Sequence, residues 1–441
     1  MKFLKYIILT VVALSYSSCA ELDSLAPINS IPTNEAITNL ASASAALNGV
    51  YSSMQDDSFD KWLSLPQYFS DEADFTGTFP TRLEFGNLNV FPANGTMATV
   101  YTSIYRTINN ANNIIALVPG VEDISFTAEA KADFIAQAKF IRAQQYLYLV
   151  NLWQEVPLVL TPTSDVGEVL NIAKSDANAI YTQIIQDLTE ASTNLLAETG
   201  PTGASKQAAN ALLARAALYQ GRWSDALSTA ESILGDDFDL TSVAFLEDQI
   251  YTLGFTPTDG NVLNFFYGPA DFGGRYSIGP SQTLINSYEP DDTRFASTVD
   301  VTSASVPFGL KYPSFDAGIS GTATDPIFFI RHAEIVLIAA EAAAELGDFD
   351  TASSYLNQVR NRAGLSSVDL DSDNFVDIIL QERFLEFAFE GPFRLIDLRR
   401  KGVAETILGP IGYDACDSVW PIPQRDVDRN PNLTQNTCCN C

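Results

Sequence analysis

The sequence is poor in histidine, in positive charge and in long apolar runs. Its 441 residues include one histidine and 25 Lys+Arg against 54 Asp+Glu, for a formal net charge of −29. Because the chain has a single histidine, zinc sites with several histidine ligands are excluded. Any Ser–His–Asp or Cys–His catalysis would have to use His332. The acidity argues against nucleic acid as a partner, because few cations are available to neutralise phosphates. Beyond the N-terminus, no segment is apolar over a length that spans a bilayer.

The N-terminus has the anatomy of an export signal. A positively charged start at 1–5 precedes an apolar run at 6–14, which is too short for a stable membrane anchor. Small residues then lead to Cys19, as in a lipobox with extended spacing. We predict a signal peptide over 1–18, a lipid-modified Cys19 and a tether over 19–34. A plain signal peptide with an incidental cysteine is the alternative.

The other four cysteines lie near the C-terminus, at Cys416, Cys438, Cys439 and Cys441. An exported chain reaches a compartment that permits disulfides, so we expect Cys416 to pair with one of the tail cysteines. The sequence does not fix which one. A metal site is the alternative, but the adjacent pair lacks the two-residue gap that lets two thiolates face one ion. We therefore expect neither a metal nor a cofactor.

Apolar periodicity predicts a mainly helical chain. The clearest predicted helices cover 41–54, 97–118, 128–153, 177–197 and 206–220. Ser205 stands where the N-cap of the last of these helices is expected.

A short repeat occurs twice between predicted helices. Residues 221–226 and 347–352 share the pattern Gly-x-aromatic-x-x-Ala, and each follows an alanine-rich helix. The glycine permits the turn, while small residues let paired helices approach closely. The pattern predicts tetratricopeptide-like helix pairs in a right-handed scaffold. Two units are too few for such an array, so we expect the N-terminal helices to complete it.

Two segments interrupt the helical pattern, at 55–94 and at 236–326. Both are rich in turn-forming and aromatic residues. We predict one domain over 35–441, with an N-terminal part over 35–235, a loop-rich insertion with short strands over 236–326, and a helical part and tail over 327–441. Long loops in a compact protein are usually functional, so the two segments are predicted to form the binding face.

Aromatic and polar side chains alternate in both segments. Sugar rings present C–H faces and hydroxyl rims, and such side chains match both. Hydrophobic plugs beneath long loops are the equally weighted alternative. The candidate ligand-binding residues are Trp62, Tyr68, Phe75, Phe79 and Arg82 in the first segment, and Tyr267, Phe272, Arg275 and Tyr276 in the second.

Two features could carry catalysis, and we favour a structural role for each. Asp71, Glu72 and Asp74 could serve as paired carboxylates of a glycosidase, but they could equally cap a segment or bond sugar hydroxyls. His332 lies in a segment predicted to be an apolar helix, where packing is the expected role. Asp291 and Asp292, just before Thr293 and Arg294, form a similar acidic pair, which is expected to make a local salt bridge or cap. We therefore predict that the protein is not an enzyme and has no catalytic residue.

Several short motifs follow one another in a fixed order along the chain. They occupy residues 45–51, 108–114, 138–143, 149–159, 330–334, 356–365, 382–400, 421–423 and 430–436. Each is weak alone, but together they resemble the SusD/RagB family over nearly the whole mature chain. The chain departs from the family in its short length, its cysteine-rich tail and His332, where an aromatic residue is common.

The resemblance implies an outer-membrane lipoprotein that faces the cell exterior and covers a SusC-like TonB-dependent transporter. It implies capture of an oligosaccharide, or in some members a peptide. A tetratricopeptide-type scaffold that binds only protein is the further alternative. The resemblance also implies that Glu382, Glu386, Glu390 and the neighbouring arginines form structural ion pairs.

Overall fold

The computed structural model describes residues 36–56, 59–163, 171–196, 200–315 and 321–437. The predicted signal peptide, Cys19 and the three tail cysteines lie outside these residues. Cys416 is disulfide-bonded, as expected of an exported chain.

Helices dominate the described part of the chain. The helices are α1 (Leu40–Met54), α2 (Phe59–Tyr68), α3 (Pro80–Gly86), α4 (Gly95–Leu117), α5 (Ala128–Trp153), α6 (Ala177–Asn194), α7 (Lys206–Tyr219), α8 (Trp223–Leu234), α9 (Leu263–Tyr267), α10 (Gln282–Ser287), α11 (Phe295–Thr298), α12 (His332–Glu345), α13 (Phe349–Arg362), α14 (Phe375–Glu386), α15 (Phe393–Arg400), α16 (Ala404–Leu408) and α17 (Gln424–Arg429). The strands are β1 (Ala73–Phe75), β2 (Val156–Pro157), β3 (Lys174–Ser175), β4 (Gln249–Leu253), β5 (Ile278–Pro280), β6 (Val299–Asp300), β7 (Phe308–Gly309) and β8 (Ile327–Arg331). They pair antiparallel as β1–β5, β2–β3, β4–β8 and β6–β7.

The long helices form a tetratricopeptide-like array. Helices α4 to α8 pack each on the next, α8 packs on α12, and α12 packs on α13. The two predicted repeats are the pairs α7–α8 and α12–α13. Their turns contain Gly221 at φ +67° and Gly347 at φ +84°, a region that favours glycine. The predicted fold class is confirmed, and the N-terminal helices do extend the array.

The predicted helix limits hold closely. Helix α5 has the predicted bounds, and the Ser205 side chain accepts a hydrogen bond from the Ala208 N–H at the start of α7. Helix α6 ends at Asn194, short of the predicted 197, because Leu195 is already extended at ψ 136°.

The first interrupted segment is more regular than predicted. It contains α2, β1 and α3 in place of a long irregular loop. Pro66 lies within α2, and Pro80 begins α3, a position where its fixed φ suits a helix.

A buried ion-pair cluster joins the insertion to the C-terminal helices. Arg331 lies at its centre: its Nη1 is 2.8 Å from Glu386 Oε1 and 2.9 Å from Asp248 Oδ1, and its Nε is 2.9 Å from Glu390 Oε2. The other members of the buried ion-pair cluster are Arg294, Lys311, Arg362 and Glu382. All the carboxylates are buried, which confirms the structural role of this motif. Helix α14 ends at Glu386, so Glu390 reaches the cluster from beyond the helix.

His332 is the first residue of α12, so it lies in the predicted helix but at its start and not in its interior. Its ring stacks on Phe238 at a centroid distance of 4.9 Å. Nδ1 lies 3.1 Å from the Asp248 carbonyl oxygen, and Nε2 lies 3.1 Å from Gln207 Nε2. Its predicted packing role is confirmed. Asp292 also has the predicted local pair, 2.7 Å from Arg294 Nη2.

Across the described ranges, no helix combines the length and apolar character needed to cross a bilayer.

Candidate functional site

The two loop-rich segments meet on one face of the molecule. Strand β1 pairs with β5 so that Asp74 lies opposite Gly279 and Phe75 opposite Ile278. The pairing extends beyond the strands, where the Thr76 N–H donates to the Ser277 carbonyl at 3.2 Å. Segments some 200 positions apart in sequence thus form a single loop face.

Cation–π contacts fasten part of this face. The Arg275 guanidinium lies 4.2 Å from the Phe79 ring centroid, and its Nη2 donates to Thr78 Oγ1 at 3.1 Å. Arg82 lies between the rings of Phe79 and Phe266, at 5.0 and 4.9 Å from their centroids. Arg82 is buried and pairs with Asp60, so its charge is already neutralised. Arg275 remains exposed to solvent.

A groove of about 340 Å³ lies beside β1. We call it the loop groove and define it by Asp74, Phe75, Leu83, Asn87 and Ile411. Leu83 and Ile411 are 45% and 50% exposed, so both present apolar surface to a ligand in the groove. Asp74 and Asn87 supply polar groups beside this apolar surface. The combination suits a ligand with both apolar faces and hydroxyl groups.

The Asp74 carboxyl is the ionisable group of the loop groove. The partial loss of water around it raises its pKa above the ordinary value of an aspartate.

Two predicted ligand residues are buried beneath the loop face. Tyr68 is 2% exposed, and its hydroxyl donates to the Ser277 carbonyl at 3.0 Å. Tyr267 is fully buried, and its hydroxyl donates to Gln67 Oε1 at 2.8 Å. Burial raises the pKa of both phenols. Tyr68 is one of the residues that line the loop groove, although little of it is exposed. Tyr267 does not line the groove and supports the loop face from below.

Trp62 lies apart from the loop groove. Its ring stacks on Phe329 with centroids 5.5 Å apart and meets Tyr148 edge-on at 5.7 Å. These rings line a cavity of about 70 Å³, which also contains Asn151 and Arg215. This volume is too small for a sugar ring.

The remaining candidates lie on the second segment. Phe272 is 41% exposed and stacks on Phe315 with centroids 5.8 Å apart. Tyr276 is half-buried at φ +50°, and its hydroxyl donates to the Pro307 carbonyl at 2.7 Å. A Cβ at position 279 would lie 2.7 Å from this hydroxyl, so the glycine leaves room for the Tyr276 side chain.

The three carboxylates near β1, those of Asp71, Glu72 and Asp74, have different roles. Asp71 forms a bidentate pair with Arg394, with both contacts at 2.7 Å. Glu72 is buried, and its Oε1 accepts the Phe389 N–H at 2.8 Å. Only Asp74 is exposed at the loop groove. Two of the three carboxylates therefore hold the fold together. The described residues contain no cluster of side chains that could hold a metal ion.

Replacing Glu72 with glutamine should change how stability depends on pH. Burial raises the pKa of Glu72 to about 8, with Asp71 acting in the same direction. In the unfolded chain its pKa is about 4.3. Between these values the folded state binds more protons, so this group's contribution to stability is lost as pH rises. Glutamine keeps the acceptor and cannot ionise.

We expect the free energy of unfolding of Glu72→Gln to exceed that of wild type. The difference should grow between about pH 5 and pH 8, to roughly a few kcal/mol. Urea titrations of the wild type and of Glu72→Gln at several pH values measure this difference. A wild-type advantage that grows toward pH 8 would contradict this assignment.

The sequence pointed to neither Leu83 nor Asn87 nor Ile411. Leu83 directly follows the predicted ligand residue Arg82, so its position in the sequence could have suggested it as a candidate. Ile411 lies in a Gly-Pro-Ile-Gly turn far from both loop segments. No sequence signal connects it with the groove.

Two family models match the sequence. A model described as "Starch-binding associating with outer membrane" matches residues 23–218, and one described as "SusD family" matches residues 310–418. The chain is 28% identical to the SusD-like protein P2 of Formosa agariphila, over 97% of each chain.

Solved structures agree with these matches. A laminarin binding SusD-like protein is similar with a TM-score of 0.78 and 25% identity, covering 91% of this chain and 99% of that one. A SusD-like carbohydrate binding protein from Bacteroides fragilis has a TM-score of 0.78 and 22% identity, covering 89% and 99%. The fold and the site thus define a helical-repeat scaffold with a groove on a face built from loops. The chain belongs to the SusD/RagB family.

Proposed function

We propose that the protein captures an oligosaccharide in the loop groove. The observation that carries the proposal is the exposed pair of Leu83 and Ile411 beside the polar groups of Asp74 and Asn87. The aliphatic side chains suit the C–H faces of sugar rings, and the carboxylate and amide suit their hydroxyl rims. Phe79, Phe272, Arg275 and Tyr276 lie on the same loop face and extend the surface.

The relatives support this class of ligand. One structural relative is described as laminarin binding, and the N-terminal family model as starch-binding. Both descriptions name neutral glucans, so linear β- and α-glucan oligosaccharides are the first ligands to test. Binding without turnover fits the three carboxylates near β1, since Asp71 and Glu72 are occupied by Arg394 and the Phe389 N–H.

Glycan and peptide panels measured by calorimetry test the ligand class. We expect the mature protein to bind at least one neutral oligosaccharide, which it leaves intact after long incubation. Binding only to peptides would move the ligand to the second class that the family resemblance implies. No binding in either panel, together with copurification of a protein partner, would overturn small-ligand capture.

We also propose that Cys19 carries a lipid and that the protein serves a SusC-like TonB-dependent transporter at the cell exterior. The export signal supports the anchor, and the family model associated with the outer membrane supports the location. Multiple acyl chains would hold the protein stably on the membrane. The loop face would then present its captured oligosaccharide to the transporter.

Metabolic labelling with a tagged fatty acid should mark the wild-type protein and leave Cys19→Ala unlabelled. The reason is that the thiol of this residue is the proposed attachment site. Cys416→Ala is the control, since it lies far from the signal and should retain the label. Label that persists in Cys19→Ala would refute the anchor.

A further inference from the structure

Exposed positive charge is rare in this protein and unevenly distributed. The exposed lysines and arginines of the described ranges are Arg106, Lys206, Arg222, Arg275, Arg425 and Arg429. Three of them, Arg106, Arg425 and Arg429, line one cavity of about 730 Å³. The chain has a net charge of −29, yet half of the exposed cations in the described ranges surround a single cavity. We call this cavity the arginine pocket.

The arginine pocket is separate from the loop groove. It lies between α4, the segment after β2, and α17, and the two sites share no lining residue. The apolar wall of the pocket is formed by Tyr105, Val159 and Leu433. The Tyr105 hydroxyl donates to the Pro157 carbonyl at 2.7 Å. Its volume falls in the range of small-molecule sites, roughly 300–1,000 Å³.

The three arginines are only lightly engaged. Arg106 is 57% exposed in its side chain and lies 3.0 Å from Asp56. Arg425 donates to Thr102 Oγ1 at 2.7 Å and pairs at 3.1 Å with Asp426, the one carboxylate among the described residues that line the pocket. Arg429 makes no ion pair or side-chain hydrogen bond with any part of the chain that the structure describes. Such exposed pairs are weak, so an anionic ligand can compete for these guanidinium groups.

We propose that the arginine pocket is a second binding site, which takes the carboxylate or sulfate ester of an acidic oligosaccharide. Guanidinium groups match both anions through paired N–H donors. The apolar wall suits the C–H face of the sugar that bears the anion. The proposal goes beyond capture of a neutral oligosaccharide and rests on the proposed function only for the saccharide part of the ligand.

Calorimetry with three probes tests this site: an oligogalacturonate, a sulfated carrageenan oligosaccharide and a neutral laminari-oligosaccharide. We expect wild-type protein to bind at least one acidic probe, more weakly at high salt. The triple variant Arg106→Gln, Arg425→Gln, Arg429→Gln should lose affinity for that probe by roughly tenfold or more. Its affinity for the neutral probe should stay unchanged, because the loop groove is untouched.

Arg222→Gln is the matched control, since it removes an exposed, ion-paired arginine elsewhere and should bind like wild type. Arg429→Gln alone breaks no ion pair with a described residue, so it is the variant to use if the triple variant unfolds. Its affinity for the acidic probe should also fall. If neither acidic probe binds wild type, or if the arginine variants bind it equally well, the second site is refuted. If wild type binds an acidic probe but none of the neutral oligosaccharides, the second site stands and capture of a neutral oligosaccharide in the loop groove is refuted.

Discussion

Replacing Glu386 with alanine is expected to lower the free energy of unfolding by about 3–5 kcal/mol, the largest effect we predict for a single substitution. The carboxylate accepts from Arg331 at 2.8 Å, from Arg362 at 2.5 Å and from Arg294 at 3.1 Å. It is fully buried. Its removal leaves three guanidinium groups in the core with too few counter-charges, and that penalty exceeds the value of the ion pairs themselves.

Glu289→Ala is the matched control for this substitution. Glu289 also pairs with an arginine, Arg360 at 3.0 Å, but its side chain is 52% exposed. An exposed pair contributes about 0–1 kcal/mol. Urea denaturation of both variants measures the contrast. Equal losses from Glu386→Ala and Glu289→Ala would show that the buried ion-pair cluster does not hold the insertion to the C-terminal helices.

The pKa of Glu386 leads us to expect a change of stability in acid. Burial disfavours its ionised form, but Arg331, Arg362 and Arg294 outweigh burial and lower the pKa of Glu386. A lowered pKa means that the stabilisation is present above the unfolded value of about 4.3 and is lost as pH falls below it. Wild-type stability should therefore fall more steeply below pH 4.3 than that of Glu386→Ala.

The double substitution Leu83→Ser with Ile411→Ser should weaken oligosaccharide binding by roughly tenfold or more. Each serine removes apolar surface worth about 1 kcal/mol or more if a sugar ring covers it. Both side chains are about half exposed without ligand, so stability should change little. Calorimetry with the tightest neutral oligosaccharide measures the loss.

Ile124→Ser with Leu346→Ser is the matched control. Both positions carry exposed aliphatic side chains, and neither lines the loop groove. This variant should bind like wild type. If both double variants keep full affinity, the exposed aliphatic pair plays no part in binding and the loop groove is the wrong site.

The scaffold was largely predictable because its signals are local. Helix α5 shows its apolar periodicity within one segment, and Ser205 announces the start of α7 by itself. The turns at Gly221 and Gly347 require φ values that favour glycine, so the repeat could be read from sequence. Each of these features depends on residues a few positions apart.

The site was predictable only in outline because its signals are long-range. The two loop segments were identified, but their pairing through β1 and β5 joins residues some 200 positions apart. Composition could not distinguish the buried ring of Tyr68 from the exposed ring of Phe272. Ile411 comes from a third segment, and only the fold brings it to Asp74.

A crystal structure of the protein with its tightest neutral oligosaccharide would test the central claim most directly. We predict a sugar ring in the loop groove, with its C–H face against Leu83 or Ile411 and a hydroxyl within hydrogen-bond distance of Asp74 or Asn87. An oligosaccharide bound elsewhere on the molecule, with the loop groove empty at saturating ligand, would contradict the account.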